Sequence, residues 1–458
     1  MTLKSLRKIV QVVLSVVVIY LALPDFPIHA VTSSERESLI TLYNSTNGPG
    51  WTNNTGWLGE LGTECSWYGI TCNGQNSVTA IILTSNNLTD GIPSQLENLT
   101  TLEYLWLDDN QLGGDIPSAI WNLTNLVELK LHRNGLTGTI SAAIENLTNL
   151  EYLNLSANRL EGSIPTAIGS LSNLQYLHLY QNGFTGSIPA AIGGLAELRE
   201  LYLGANELTG TIPTAIGNLS NLQYLNFHAN NLTGSIPPEI GSLSNLVLLS
   251  LYDNQLSGTI PEELGGLSAI QYLYLNNNQL IGAIPPAIWN LTNLVELTLH
   301  MNSFTGTIPT AIGNLSNLQY LNLAANELTG TIPTAIGSLS NLQYLHLYQN
   351  GLTGSIPAAI GGLAELRELY LGANELTGFI PSQLGNLSNL VIFNLHDNQL
   401  TGSIPSTFFG LTALEFFDVT GNCLTDFEPV SHVPNLIGAE AQVDTCFKGL
   451  PWLMLLLD

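Results

Sequence analysis

The chain has 458 residues with 35 acidic against 10 basic side chains, a formal charge of −25. With that balance nucleic acid is not an expected partner, because phosphate contacts demand clustered Lys and Arg. The first 30 residues read as a signal peptide: Lys4, Arg7 and Lys8, an apolar run from Ile9 to Leu23, then Ile28-His29-Ala30 before a cleavage point. The run is shorter than the roughly 20 residues a membrane span needs, so no spanning segment is expected unless the leader stays uncleaved. Removing it leaves 7 basic and 34 acidic residues, a charge of −27 suited to the solubility of an exported protein.

Residues 31–77 follow no period and are expected to form an amino-terminal cap. Ser34 to Tyr43 predicts a short amphipathic helix with Leu39, Ile40 and Leu42 on one side. Turn-forming Asn47-Gly48-Pro49-Gly50 and three tryptophans, Trp51, Trp57 and Trp67, come next.

From residue 78 to 422 one unit repeats every 24 residues. The Asn of an L-x-L-x-x-N core falls at Asn86, Asn110, Asn134 and so on without insertion to Asn422, fifteen marks in all. In the unit marked by Asn206, Leu201 and Leu203 alternate with Glu200, Tyr202 and Gly204, which predicts a strand with leucines inside and the alternate residues on an open face. The Asn is expected to be buried, bonding the backbone of adjacent coils. Gly210 marks a turn of positive φ, Ile212-Pro213 an extended path, and Thr214 to Leu219 a short helical or 3₁₀ turn. Stacked at about 4.8 Å, fifteen such strands form a parallel sheet roughly 70 Å long. Each unit shares its core with its neighbours, so the expected architecture is one α/β solenoid of about fifteen repeats with terminal caps.

Residues 423–458 leave the pattern and read as a carboxy-terminal cap and apolar tail. The array holds the two cysteine pairs far apart, so Cys65–Cys72 and Cys423–Cys446 are the expected disulfides, and a site using all four for zinc is not expected.

The segments Leu-Thr-Gly-Thr-Ile-Pro at 208–213 and Leu-Thr-Gly-Ser-Ile-Pro at 352–357, with their copies, resemble the plant-type leucine-rich repeat of receptor-like proteins, receptor kinase ectodomains and secreted microbial proteins. Cys65-Ser-Trp-Tyr-Gly-Ile-Thr-Cys72 resembles the cap that precedes such arrays. The resemblance implies a right-handed superhelix with the parallel sheet on its concave face and a second short strand near the L-T-G-x-I-P segment. Two departures stand out: Ser141 replaces the proline, and Asp90-Gly91 shifts the glycine of the first repeat.

A longer period overlies the first. Residues 164–210 match 332–378 at 46 of 47 positions, an offset of 168 or seven repeats, differing only at Phe184 against Leu352. Duplication of a block duplicates whatever its surface does.

No H-E-x-x-H, G-x-S-x-G, P-loop or G-x-G-x-x-G is present, and neither enzyme activity nor a cofactor is expected. The histidines His132, His178, His228, His300, His346 and His396 fall on the open face about two coils apart, too far to share a metal; they are expected to be solvated or to touch ligand, with no metal site. Aromatic residues dominate that face: Tyr104, Trp106, Tyr152, Tyr176, Tyr180, Tyr202, Tyr224, Tyr272, Tyr274, Tyr320, Tyr344, Tyr348 and Tyr370. With His178 and His346 these are the candidate ligand-binding residues, since tyrosine offers contact area and a hydroxyl at low entropic cost. Strand propensity alone also favours tyrosine there. The expected function is extracellular or cell-surface recognition of a protein, peptide or glycan. The alternatives are a structural or adhesive role for a repetitive surface protein and, last, ice or mineral binding by threonine ladders such as Thr209, Thr233, Thr305, Thr329, Thr353, Thr377 and Thr401.

Overall fold

The computed structural model describes residues 30–439. The expected leader, Cys446 and the apolar tail lie outside them. The described chain begins with a helix, Ser33–Ser45, started by Thr32: its hydroxyl accepts from the Glu35 N–H while the Glu35 carboxylate accepts from the Thr32 N–H. The helix therefore starts one residue earlier than its apolar spacing suggests. Leu39 and Leu42 are fully buried, with Ile40 packed at the edge of the core. Trp51, Trp57 and Trp67 pack ring against ring at 4.8 and 5.1 Å between centroids, and every indole N–H finds an acceptor: Thr46 O, Tyr68 O and Thr63 Oγ1. Beside them Arg36 pairs with the wholly buried Glu64. Cys65 and Cys72 are joined, and the strand Ile70–Cys72 runs antiparallel to Val78–Ile82, closing the first edge of the sheet.

From Val78–Ile82 onward sixteen strands run parallel to Asn435–Ile437, and the register advances one coil at a time, as in Leu153, Leu177 and Leu201 side by side. The last of these strands belongs to the stretch beyond Asn422, so the sheet is one strand longer than the fifteen marks. The L-T-G segments add short strands such as Thr209–Gly210 and Asn231–Gly234, paired in separate small sheets. The closing turn of each coil is 3₁₀, five residues long in Thr214–Asn218 and its counterparts.

Leu198, Leu201, Leu203, Leu208, Ile216 and Leu219 of one coil are completely buried, and their counterparts form one continuous core. Asparagine ties the coils. Asn254 donates to Leu251 O and Tyr252 O in its own coil and to Phe227 O in the preceding one, while its Oδ1 accepts from Leu232 N–H. The same bonds recur from Asn134 to Asn422.

This bonding explains a feature that composition conceals. The residue before each ladder Asn has positive φ, between 50° and 55° from Asp109 to Asp397, although none of these is glycine. An L-residue there costs about 1 kcal/mol or more; the asparagine amide, drawn to the two preceding carbonyls, holds the bend. Gly210 and its copies take positive φ as expected, and in the first coil Asp90 takes it instead, φ 62°. Where Ser141 stands for proline, its hydroxyl accepts from Ala143 N–H and caps the following 3₁₀ turn. Both departures are absorbed locally. Cys423 is disulfide-bonded. Among the described residues no helix is long and apolar enough to cross a membrane.

Candidate functional site

Strands of three residues leave three outward positions per coil: two in the strand and one in the bend behind it. All thirteen predicted tyrosine and tryptophan sites lie there, half-buried. They do not form an unbroken stripe. Tyr104 and Trp106 meet edge to face at 6.4 Å, and Lys130 sits 3.8 Å over Trp106 and 4.7 Å over Tyr152. Tyr272 and Tyr274 form a second pair, whose Tyr274 hydroxyl donates to Glu296 at 2.8 Å; burial and that carboxylate push its pKa upward. Tyr224 stands beside Glu200 and Leu248 across the sheet, outside these ring pairs.

The other ten residues form two clusters, each the image of the other at an offset of 168. In the first, Tyr152, Tyr176, His178, Tyr180 and Tyr202 interlock, Tyr152 against Tyr176 at 5.2 Å and Tyr180 against Tyr202 at 6.4 Å. In the second, Tyr320, Tyr344, His346, Tyr348 and Tyr370 do the same, with 5.4 and 6.0 Å at the matching contacts.

The histidines at their centres correct the expectation of solvated rings. His178 is only 8% exposed, bonded to Glu200 at 2.9 Å and to the Tyr152 hydroxyl at 3.4 Å, with Tyr202 stacked on it at 4.6 Å. His346 repeats the bonds, to Glu368 at 3.1 Å and Tyr320 at 3.4 Å. Burial lowers the His346 pKa, opposed by Glu368. Both imidazoles hold neighbouring rings in place; His178 is buried, while His346 also lines a pocket. Burial, then Glu200, pushes the Tyr202 phenol upward, so it stays a neutral hydrogen-bonding group.

Each cluster opens on its downstream side into a shallow pocket. One, of about 290 Å³, is lined by Tyr180, Gln181, Tyr202, Asn226 and His228; the other, of about 350 Å³, by His346, Tyr348, Tyr370, Asn394 and His396. Glycine makes them possible. A Cβ on Gly204 would lie 2.3 Å from His228 Nδ1, and one on Gly372 would lie 2.5 Å from Asn394 Oδ1 and 2.6 Å from His396 Cδ2. Only without a side chain at 204 and 372 can those rings lie against the preceding coil. His228 and His396 were expected on the open face as solvated or ligand-touching residues; Asn226, Asn394 and the two glycines are residues of these pockets that sequence reasoning passed over. A usable signal existed: in the row two residues before the ladder Asn, glycine occurs only at 204 and 372, seven coils apart.

A third arrangement also escaped. His132, expected to be isolated from metal partners, lies with Asp108 and Asp109, each offering a ligand atom within 4.8 Å of the others. Asp109 is already engaged by Arg133 at 3.3 Å and Asp108 by the Thr84 hydroxyl at 3.0 Å, while His132 Nε2 lies 3.7 Å from Asp108 and its buried Nδ1 has no hydrogen-bond partner.

Sequence comparison places the chain in a family. Leucine-rich repeat descriptions match residues 76–136, 135–256, 269–291 and, in overlapping spans, 292–424. The chain belongs to the leucine-rich repeat family, in the plant-type class of receptor-like proteins. Among solved structures it is similar to the plant peptide hormone receptor RGFR1 in complex with RGF2: 33% identity, 82% of this chain and 68% of that one, TM-score 0.75. It is similar also to the Arabidopsis receptor kinase HAESA in complex with the peptide hormone IDA and the co-receptor SERK1, at 32% identity over 86% and 70% of the two chains, TM-score 0.72. A plant ice-binding protein shares 28% identity over 70% of this chain and 96% of its own, TM-score 0.55.

Proposed function

We propose that this protein is a non-enzymatic extracellular recognition module that binds its ligand on the open face of the long sheet. The observation that carries this reading is the paired placement of interlocked, half-exposed tyrosines beside pockets, on the sheet face whose side chains lie outside both the core and the asparagine ladder. Phenols, amides and imidazoles in shallow depressions suit reversible contact with a protein, peptide or glycan. The similarity to peptide hormone receptors supports the same use of the fold. The expected leader and the Cys65–Cys72 disulfide favour an oxidising, exported setting. Changing Tyr176, Tyr180, Tyr344 and Tyr348 together to Ala is the test: ligand captured from secreted proteins, peptides and glycans by the parent protein should be lost, with the melting temperature almost unchanged. Retained capture would remove the open face from the mechanism.

A second reading draws on a different surface. Thr209, Thr233, Thr305, Thr329, Thr377 and Thr401 are exposed along the L-T-G segments, and Thr353 is half-exposed. The ice-binding protein of similar fold gives it support. Ile281 and Phe379, exposed on the same side, break the hydroxyl array, and for that reason recognition on the open face is preferred. Thermal hysteresis in solutions of the purified protein would reverse the preference.

A further inference from the structure

The two copies of the duplicated block are not equally similar throughout. Beyond the near-identical stretch lies the coil whose strand and bend, residues 223–229 in one copy and 391–397 in the other, form the far wall of each pocket. There five of seven positions differ: Gln223 against Val391, Tyr224 against Ile392, Leu225 against Phe393, Phe227 against Leu395 and Ala229 against Asp397. The two that agree are Asn226 with Asn394 and His228 with His396, the residues lining the pockets. Recent duplication explains the identical stretch, and the repeat consensus explains the Ile-Pro, Gly-Asn-Leu-Ser-Asn-Leu and Asn-x-Leu-Thr-Gly that the two coils also share; neither explains the matches at the outward positions 226 and 228 on the pocket wall.

We propose that the two pockets are matched subsites for a neutral, repeating polysaccharide, each holding one sugar unit of the same strand. This deepens the recognition reading and rests on it. The lining has the chemistry a sugar ring needs: phenol faces against its C–H surface, and the Asn amide, imidazole and phenol hydroxyl for its hydroxyl groups. Burial lowers the His228 pKa, opposed by Asp253, so that imidazole is neutral and can accept as well as donate. The nearby carboxylates Glu200 and Glu368 are committed to His178 and His346, and Asp397 pairs with His396 at 3.2 Å beside the second pocket. A chain carrying −25 repels sulfated or uronic polymers.

The spacing selects the kind of ligand. Seven coils at about 4.8 Å put the pockets roughly 34 Å apart. An extended peptide of about ten residues would span that distance, but it would have to carry the same side chain at both ends. A homopolysaccharide presents the same unit at every step.

The experiment uses the full chain against neutral glucans, mannans, galactans and xylans, each as a polymer and as an oligomer too short to bridge the pockets. Calorimetry should show two short oligomers per chain, and the matching polymer should bind on the order of 10²–10⁴-fold more tightly through double attachment. His228→Ala and His396→Ala should each reduce the polymer to the oligomer's affinity and the stoichiometry to one; the double variant should bind neither. If a variant loses its native circular dichroism, Tyr180→Phe and Tyr348→Phe, which each remove one hydroxyl, must weaken binding in the same sense. A stoichiometry of one in the parent protein, or polymer binding indifferent to one of the two histidines, overturns the proposal. So does failure of every neutral glycan. If a peptide or protein is then captured through the open face, general recognition survives and the saccharide assignment falls. Capture lost in neither tyrosine nor histidine variants removes both.

Discussion

The asparagine ladder and the open sheet face run side by side along the solenoid, yet they use their side chains in opposite ways. On the ladder the residue never varies, and from Asn110 to Asn422 neither do its bonds: each amide serves its own coil and the one before it, while the first, Asn86, bonds Asn53 of the cap. On the open face the outward rows vary from Glu to Tyr to Leu along the same register, and contacts cluster around particular rings. What is identical in every coil builds the molecule. What varies, and then recurs only after seven coils, is free to serve a partner.

The largest effect should come from breaking the ladder. Asn254→Ala leaves Leu232 N–H without its acceptor and removes a donor from Leu251 O, Phe227 O and Tyr252 O, of which Tyr252 O keeps the Ala229 N–H. Buried unpaired groups cost about 1–3 kcal/mol each, so a loss of ~3 kcal/mol or more is expected in urea unfolding. A loss under about 1 kcal/mol would show that water replaces the amide easily. The open face should respond in the opposite sense: the fourfold tyrosine variant should lose ligand while its unfolding midpoint stays close to the parent's. A large drop in that midpoint would place the rings among the structural elements.

A smaller effect tests whether the two blocks are equivalent in construction. Phe184 is fully buried where its counterpart is Leu352. Phe184→Leu should cost at most about 1.5 kcal/mol, as for a core swap of similar volume, and should leave the neighbouring pocket working. A cost near that of truncation to Ala, about 3 kcal/mol or more, would mean that the blocks pack differently.

The smallest effect is acidic. Burial lowers the pKa of His300 below its ordinary 6.5, with His346 acting in the same sense and Asp253 opposing it, and its Nδ1 has no hydrogen-bond partner. Above pH 6.5 the folded and unfolded imidazoles are both neutral; as the pH falls, the unfolded chain takes the proton first, so stability declines. His300→Gln should therefore flatten the fall in urea midpoint between about pH 7.5 and 5.5. An unchanged slope would assign that fall to the carboxylates alone.

Most of the fold was legible because its determinants are periodic and local. Leu201, Leu203, Asn206 and Gly210 each do in the structure what their spacing implies. The positive φ at Ala205 was not legible, since nothing about alanine announces it; the bond geometry of Asn206 imposes it from the next position. The candidate site was legible as a list but not as an arrangement. His178 looked outward by alternation, and Tyr152 on one side and Tyr202 on the other bury it. The pockets draw on three successive coils, and the residue that opens each is a glycine, which contributes by having no side chain.

The division between building face and binding face can be tested within a single coil. Cysteine introduced at Tyr224, on the open face, or at Thr233, on the L-T-G side of the same coil, can carry a bulky maleimide polymer in an otherwise intact chain. The label at 224 should abolish ligand capture, and the label at 233 should leave it at the parent level. Capture that survives the first label and is lost with the second would contradict the account and move the binding surface to the threonine ladder.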